Sequence, residues 1–249
     1  MENSFSIIIP VYNRENTIGR AIRSVLNQSY QNWELIIVND GSTDNTQAEV
    51  SKYMRQYPNI RMFVTPNNYG RLSARNFGMK VARNDWICWL DSDDEYTSNY
   101  LEEYNKNINK YNTYDIFNSG MLIKNYDKER MEDGYRIIKP FALAETDTGM
   151  ASFGKGNIGS GSFVFKKKLL EDIGFLPETN VPYGGENSFP AMWVQKDPQM
   201  KEICQQNEAG HWLALGNPWG DDYSFFWKMT RNHKSKMINA ILYIQHVRA

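Results

Sequence analysis

Four times in the first hundred residues, a short apolar run gives way to a segment of helical spacing. Phe5-Ser6-Ile7-Ile8-Ile9-Pro10 reads as a β-branched strand ended by a proline, which cannot continue a ladder. Beyond it Ile18, Ala21, Ile22, Val25 and Leu26 recur at helical intervals, with Asn16 as the expected N-cap. Glu34-Leu35-Ile36-Ile37-Val38 is a second strand, and it runs into the tight-turn residues Asn39-Asp40-Gly41-Ser42-Thr43-Asp44. A helix over 47–57, a strand over 60–64, a helix over 73–82 and a strand over 85–90 complete the series. This alternation predicts an α/β fold with a mostly parallel central sheet flanked by helices. Such sheets bind ligands beyond the carboxyl ends of their strands. Asp40 and Asp91 each follow a strand end and are expected on one rim.

That rim is dense in acid. Trp86-Ile87-Cys88-Trp89-Leu90 leads directly into Asp91-Ser92-Asp93-Asp94-Glu95, four acids in five positions. Their mutual repulsion has to be offset, and a divalent cation held on a diphosphate would do so. Hard carboxylate oxygens suit Mg²⁺ or Mn²⁺. The alternative is an acidic turn that caps a helix over 100–109.

Five segments in fixed order then carry a resemblance: Ile9-Pro10-Val11-Tyr12-Asn13, Ser24-Val25-Leu26-Asn27-Gln28-Ser29-Tyr30, Glu34 through Asp44, Ala74-Arg75-Asn76-Phe77-Gly78, and Leu90-Asp91-Ser92-Asp93-Asp94. Together they resemble the family-2 glycosyltransferases of the GT-A fold, over roughly the first hundred residues. Asn39 stands where that family often has Asp; Asp40 is kept. The resemblance implies an inverting, metal-dependent transfer of a sugar from a nucleotide-diphosphosugar to a hydroxyl of a saccharide or lipid-linked glycan, in polysaccharide or glycoconjugate synthesis. Uridine is the expected base, with guanosine and thymidine as alternatives. Pro10, Tyr12 and Asn13 would line the nucleoside slot, the Tyr ring offering flat apolar area. Asp40, as an acceptor-only carboxylate, would take an imide N–H or a hydroxyl. Arg71 and Arg75 would face base or phosphate, where the guanidinium fork donates two parallel bonds. Asp91 and Ser92 would hold the ribose side, and Asp93 the Mn²⁺ or Mg²⁺ ion. Asp94 would support that site, bind acceptor or cap a helix.

By the same resemblance, a carboxylate at a helix start takes the proton from the acceptor hydroxyl. Two places compete. Gly185-Glu186-Asn187 has Asn at the base position, and Pro190 would interrupt the interior of its helix. Gly220-Asp221-Asp222 has both acids, and Phe225, Phe226, Met229 and Thr230 continue beyond them without a breaker. Asp222 is therefore the expected base, with Asp221 as its partner; two acids merely capping the helix are the alternative. This choice implies an insertion over about 177–218, containing Trp193, His211 and Trp212, that would cover the acceptor. Ile241-Leu242-Tyr243-Ile244-Gln245-His246 resembles the family's last strand, and His246 would approach diphosphate or metal.

The rest of the second half is less regular. Strands are expected over 115–123, 135–138 and 162–165, then a short helix from Lys166 that ends at Gly174. The Gly-rich stretch over 154–162 lacks the Gly-Lys-Ser/Thr ending of a phosphate-binding P-loop. The whole chain of 249 residues reads as one domain, with a nucleotide-sugar half over 1–110 and an acceptor half over 111–249. A net charge of −1 with no basic run suggests no nucleic-acid partner. Two cysteines, Cys88 and Cys204, make no disulfide framework. No segment approaches a membrane span and the N-terminus lacks signal-peptide character, so a cytoplasmic location is expected, with peripheral membrane association open. Two other readings remain: a nucleotide-sugar-binding protein without turnover, and a nucleotidyltransferase. The latter would want a Gly-rich, basic loop where Pro10-Val11-Tyr12-Asn13 stands. The sequence leaves the oligomeric state open.

Overall fold

The structure is a computed structural model that describes residues 2–125, 135–138, 160–174, 204–206, 212–214, 225, 229 and 233–247. The expected alternation is present: β1 (Phe5–Val11), α1 (Ile18–Leu26), β2 (Trp33–Asn39), α2 (Thr46–Met54), β3 (Ile60–Val64), α3 (Arg71–Val81) and β4 (Trp86–Trp89). Next come β5 (Glu95–Tyr96), α4 (Tyr100–Lys110), β6 (Ile116–Asn125), β7 (Tyr135–Ile138), β8 (Phe163–Lys166) and α5 (Leu169–Ile173). The remaining strands are β9 (Cys204–Gln206), β10 (Trp212–Ala214) and β11 (Ser235–Val247).

Among the described residues, nine strands join one sheet in the order β3-β2-β1-β4-β8-β6-β11-β5, with β7 beside β6. The β3-β2-β1-β4 half is parallel throughout. The expected smaller mixed sheet is continuous with it, because β8 pairs antiparallel to both β4 and β6. Only β9 and β10 stand apart, as a two-stranded antiparallel pair. Ile7, Ile8 and Ile9 have no exposed surface, and neither do Leu35, Ile36 and Ile37. Both sheet faces are covered, so the strand sequences are continuously apolar rather than alternating. Full burial of each such side chain contributes about 1.5–3 kcal/mol.

The motif glycine Gly78 has a packing reason. A Cβ there would stand 2.4 Å from Cγ2 of Ile8, so only glycine lets α3 lie this close to β1. Two local expectations are corrected. Thr17, not Asn16, precedes α1, and no side chain caps it; the Arg14 carbonyl instead accepts from the N–H groups of Thr17 and Ile18, each at 3.0 Å. The acidic run does not cap the helix at 100–110 either, because β5 intervenes and Asn99 holds the N-cap position.

Candidate active site

The carboxyl ends of β1, β2 and β4 open into a cleft of about 390 Å³. Pro10, Tyr12, Asp40, Arg71, Asp91, Ser92 and Asp93 all line it, so seven of the expected site residues converge there. Arg14, Asn68 and Gly70 line it as well, and sequence reasoning did not single them out. Arg14 had a signal: it follows the Pro10–Asn13 turn directly and is a cation beside an anion-binding rim.

Tyr12 keeps 40% of its surface exposed, a large ring on the cleft wall. Asp40 is almost wholly buried, and the protein itself uses much of its acceptor capacity. Its Oδ1 accepts from the Tyr69 N–H at 3.0 Å and lies 3.0 Å from Thr65 Oγ1. Its Oδ2 accepts from the Gly70 N–H at 2.7 Å. A carboxylate has about four acceptor positions, so roughly one remains for a ligand. Asp40 thus shapes the 65–70 loop as well as facing the cleft.

Asn13 adopts φ 50° and stitches two loops together, a conformation that Asn tolerates better than most residues. Its Oδ1 accepts from the Thr43 N–H at 2.8 Å, and its own N–H donates to Ser42 Oγ at 3.0 Å. Arg75 is the clearest departure from expectation. Its side chain is fully buried, with the guanidinium 4.6 Å from the centre of a Trp89 ring and 2.7 Å from Asp91 Oδ1. Packed under the rim, it bonds Asp91 and does not line the cleft.

The acidic loop is held from several sides. Arg14 Nε lies 3.6 Å from Asp93 Oδ2, and Arg20 donates to the Asp93 carbonyl. Asp94 points inward, where Tyr243 is hydrogen-bonded to its Oδ2 and the His246 N–H donates to its Oδ1 at 2.8 Å. Burial, then the charges of Asp91 and Asp93, push the Asp94 carboxyl up to about 8. Asp94 therefore ties the loop to β11 and caps no helix. His246 sits elsewhere than expected: its ring is buried, Nε2 is 2.6 Å from Glu95 Oε1, and it does not line the cleft. Burial and the nearby Arg20 charge lower its pKa, which favours the neutral ring.

Asp91 and Asp93 offer hard oxygen donors to the cleft, which fits a magnesium- or manganese-type ion. No group of three or more His, Cys, Asp or Glu side chains forms a ready cage among the described residues. Asp221, Asp222, Glu186 and most of the 177–218 segment lie outside the described residues. Phe225 and Met229 are described, however, and both are helical and buried. Phe225 stacks on Trp89 at 5.1 Å, the same side chain that Arg75 approaches.

Comparison with known proteins gives this arrangement its context. The chain is 30% identical over 192 residues to the GalNAc(5)-diNAcBac-PP-undecaprenol beta-1,3-glucosyltransferase of Campylobacter jejuni, a match covering 76% of this chain and 58% of that one. It is 39% identical over 126 residues to the UDP-Glc:alpha-D-GlcNAc-diphosphoundecaprenol beta-1,3-glucosyltransferase WfgD of Escherichia coli, covering 47% and 48%. The chain thus spans 58% or less of the length of these two relatives. Among solved structures, S. aureus TarS 1-349 in complex with UDP is similar at a TM-score of 0.67 and 20% identity, covering 98% of this chain and 60% of that one. At that identity the likeness is one of fold. A family model described as Glycosyl transferase family 2 matches residues 6–174, well over half of the chain, from the first strand through the helix beyond β8. The chain belongs to glycosyl transferase family 2.

Proposed function

We propose that this chain is an inverting glycosyltransferase that moves a sugar from a UDP-sugar to a hydroxyl of a lipid-linked or growing glycan, with Mn²⁺ or Mg²⁺ bound at Asp93. The observation that carries this reading is the convergence of Tyr12, Asp40, Arg71, Asp91 and Asp93 on one cleft at the carboxyl ends of parallel strands. The Tyr12 ring would face the base, the remaining acceptor position of Asp40 would take a base or ribose donor, and Arg71 would pair with phosphate. Asp91, oriented by Arg75, would hold the ribose. Bound at Asp93, the ion would stabilise the charge that gathers on the leaving diphosphate.

Asp222 would take the acceptor's proton, with Asp221 as its partner. The placement of Phe225 supports this choice. Phe225, three positions further along the sequence, is helical and stacks on Trp89, the ring that Arg75 approaches. The relatives support the substrate classes: two are named for diphosphoundecaprenol-linked acceptors, and WfgD for UDP-Glc. A further structural neighbour, the mannosyltransferase PcManGT of Pyrobaculum calidifontis at a TM-score of 0.59, was solved with GDP-Man and Mn²⁺. A lipid-linked acceptor would bring the protein to a membrane face, and no described helix is long and apolar enough to cross one.

The test is release of nucleoside diphosphate from a panel of nucleotide sugars with Mn²⁺ and a lipid-linked saccharide. Asp93→Asn should abolish the response to Mn²⁺. Asp222→Asn should lower transfer by about 10²–10⁴-fold and leave donor affinity nearly intact. Pyrophosphate release instead, or unchanged transfer by Asp222→Asn, would overturn the proposed reaction or its base.

A further inference from the structure

The protein fills most of the acceptor positions of Asp40 before any ligand arrives, and it fills the two oxygens unequally. A carboxylate oxygen has about two such positions. At Oδ1 the Tyr69 N–H takes one at 3.0 Å, and the Thr65 hydroxyl, also at 3.0 Å, stands at the other. At Oδ2 the Gly70 N–H takes one at 2.7 Å, which leaves one open among the described residues. Thr65 has a single hydroxyl proton and a second acceptor in range, the Asn67 carbonyl at 2.7 Å. The charged carboxylate draws that proton more strongly than a carbonyl does. In either rotamer the hydroxyl stands against Oδ1 and keeps another donor from it. The fold fixes these partners. The Thr65 N–H donates to the Asn39 carbonyl at 2.9 Å, which extends the β2–β3 ladder by one residue and sets Thr65 beside Asp40. The loop over 65–70 presses on the turn after β2: a Cβ at Gly41, where φ is 72°, would stand 2.7 Å from the Asn67 carbonyl carbon. Asp40 is almost wholly buried, so water has little access to a group left unpaired beside it.

We propose that Thr65 is a positioning residue for base selection: by closing Oδ1 it leaves Asp40 a single open acceptor, which takes a base with one ring N–H and discriminates against guanine. The proposal rests on the reading of the cleft as a nucleotide site in which Asp40 faces the base. Uracil and thymine present one N–H between two carbonyls, and hypoxanthine presents one N–H beside a carbonyl. Each of these matches one open position. Guanine presents a ring N–H and an adjacent amino group, two parallel donors that need one carboxylate oxygen each. Its amino group would meet Oδ1 already filled, and a buried donor without an acceptor is costly. Cytosine and adenine present a ring-nitrogen lone pair instead, which a carboxylate repels.

The test is equilibrium binding of UDP to the full chain with Mn²⁺, and its displacement by inosine diphosphate and by guanosine diphosphate. These two purines differ only in the amino group, so the size of the slot cancels. The wild-type chain should bind inosine diphosphate about fivefold or more tightly than guanosine diphosphate, the scale of one unpaired buried donor. Thr65→Ser keeps the hydroxyl and should keep that ratio. Thr65→Ala opens Oδ1 and should bring the two purines to near-equal affinity. A general loosening of the loop would weaken both purines alike and leave the ratio where it was. A wild-type ratio in Thr65→Ala, equal binding of the two purines by the wild-type chain, or no displacement of UDP by either purine at millimolar concentration in any variant would overturn the proposal. Absence of UDP binding, or UDP binding unchanged by Asp40→Asn, would instead overturn the reading of the cleft on which the proposal rests.

Discussion

Arg75 is a guanidinium without exposure to water, held by the Trp89 ring and by Asp91. A buried charge is tolerated when it is paired and hydrogen-bonded, and removing one partner strands the other. Arg75→Met should therefore cost about 3–5 kcal/mol in urea unfolding and also weaken nucleotide binding, because Asp91 loses the group that orients it. Arg75→Met combined with Asp91→Asn should regain part of the stability and none of the binding. Equal stability of the single and double variants would remove the pairing as the cause. Asp94 supports a prediction about pH. Its pKa is raised to about 8 in the fold, first by burial, against about 3.9 in an unfolded chain. The folded state thus holds the extra proton between those values. The stability this proton confers is complete at low pH and is lost as pH rises through about 8. Asp94→Asn keeps an oxygen for the His246 N–H and carries no charge. Without divalent cations, its stability relative to wild type should therefore rise by at least about 1.4 kcal/mol between about pH 4 and pH 8, then level off. A flat difference in paired melts would show that Asp94 does not titrate there. At this scale residue types and spacings are more legible in the sequence than orientations. Asp40, Asp91 and Asp93 could be placed because strand ends are legible, whereas the inward turn of Arg75 depends on Trp89 and the distant Phe225.

Strand β11 shows how one element organises its neighbours. It lies parallel to β6, antiparallel to β5, and brings Tyr243 and His246 to Asp94. Only its apolar end, 241–246, was legible. The strand begins at Ser235, and register shifts between Met237 and Tyr243 interrupt the two-residue alternation by which a strand is recognised. The Tyr243 ring also explains Gly161. A Cβ at Gly161 would stand 1.8 Å from Cε2 of that ring, and the Tyr100 hydroxyl donates to the Gly161 carbonyl at 2.8 Å. Tyr243 is fully buried and cannot swing aside. Gly161→Ala should therefore destabilise by about 1–3 kcal/mol, the usual cost of overpacking. It should also lower cation-dependent nucleotide binding, since displacing Tyr243 loosens Asp94 beside Asp93. Gly161→Ala with Tyr243→Leu should recover the stability without the binding. A thermal midpoint unmoved by Gly161→Ala would show that the ring yields.

At the scale of the molecule, the two halves that the sequence suggests for donor and acceptor contribute strands to one sheet. Only the neighbours β1–β2 and β2–β3 follow from the alternation, since strands adjacent in sequence are often adjacent in a sheet, whereas β4 lies beside β1. The rest do not follow from it, because β8 arrives from beyond residue 160 to lie against β4, while β5 crosses to the far edge and pairs with β11. No local period encodes such long returns. The core is interleaved in the same way: Phe5, Ile7 and Leu35 share a buried cluster with Phe117, Val164, Leu242 and Tyr243. On the other face, Ile8 and Trp89 pack with Phe163, Phe165 and Phe225. A fragment ending after α4 would therefore expose one edge of β4, the apolar side of both clusters, and a buried Arg75–Asp91 pair without the Phe225 ring that covers Trp89. Unpaired strand edges and stranded apolar surface both disfavour the compact state. The fragment over 1–110 should thus lack near-ultraviolet circular dichroism and bind no nucleotide. Its chain contains every cleft-lining residue named above, so failure to bind would be a failure of folding and not of composition. The intact chain should lose tryptophan fluorescence and nucleotide binding together in one urea transition. A fragment that folds and binds by itself, or two resolved transitions in the intact chain, would mean that the donor cleft is stable without the strands that return from the second half.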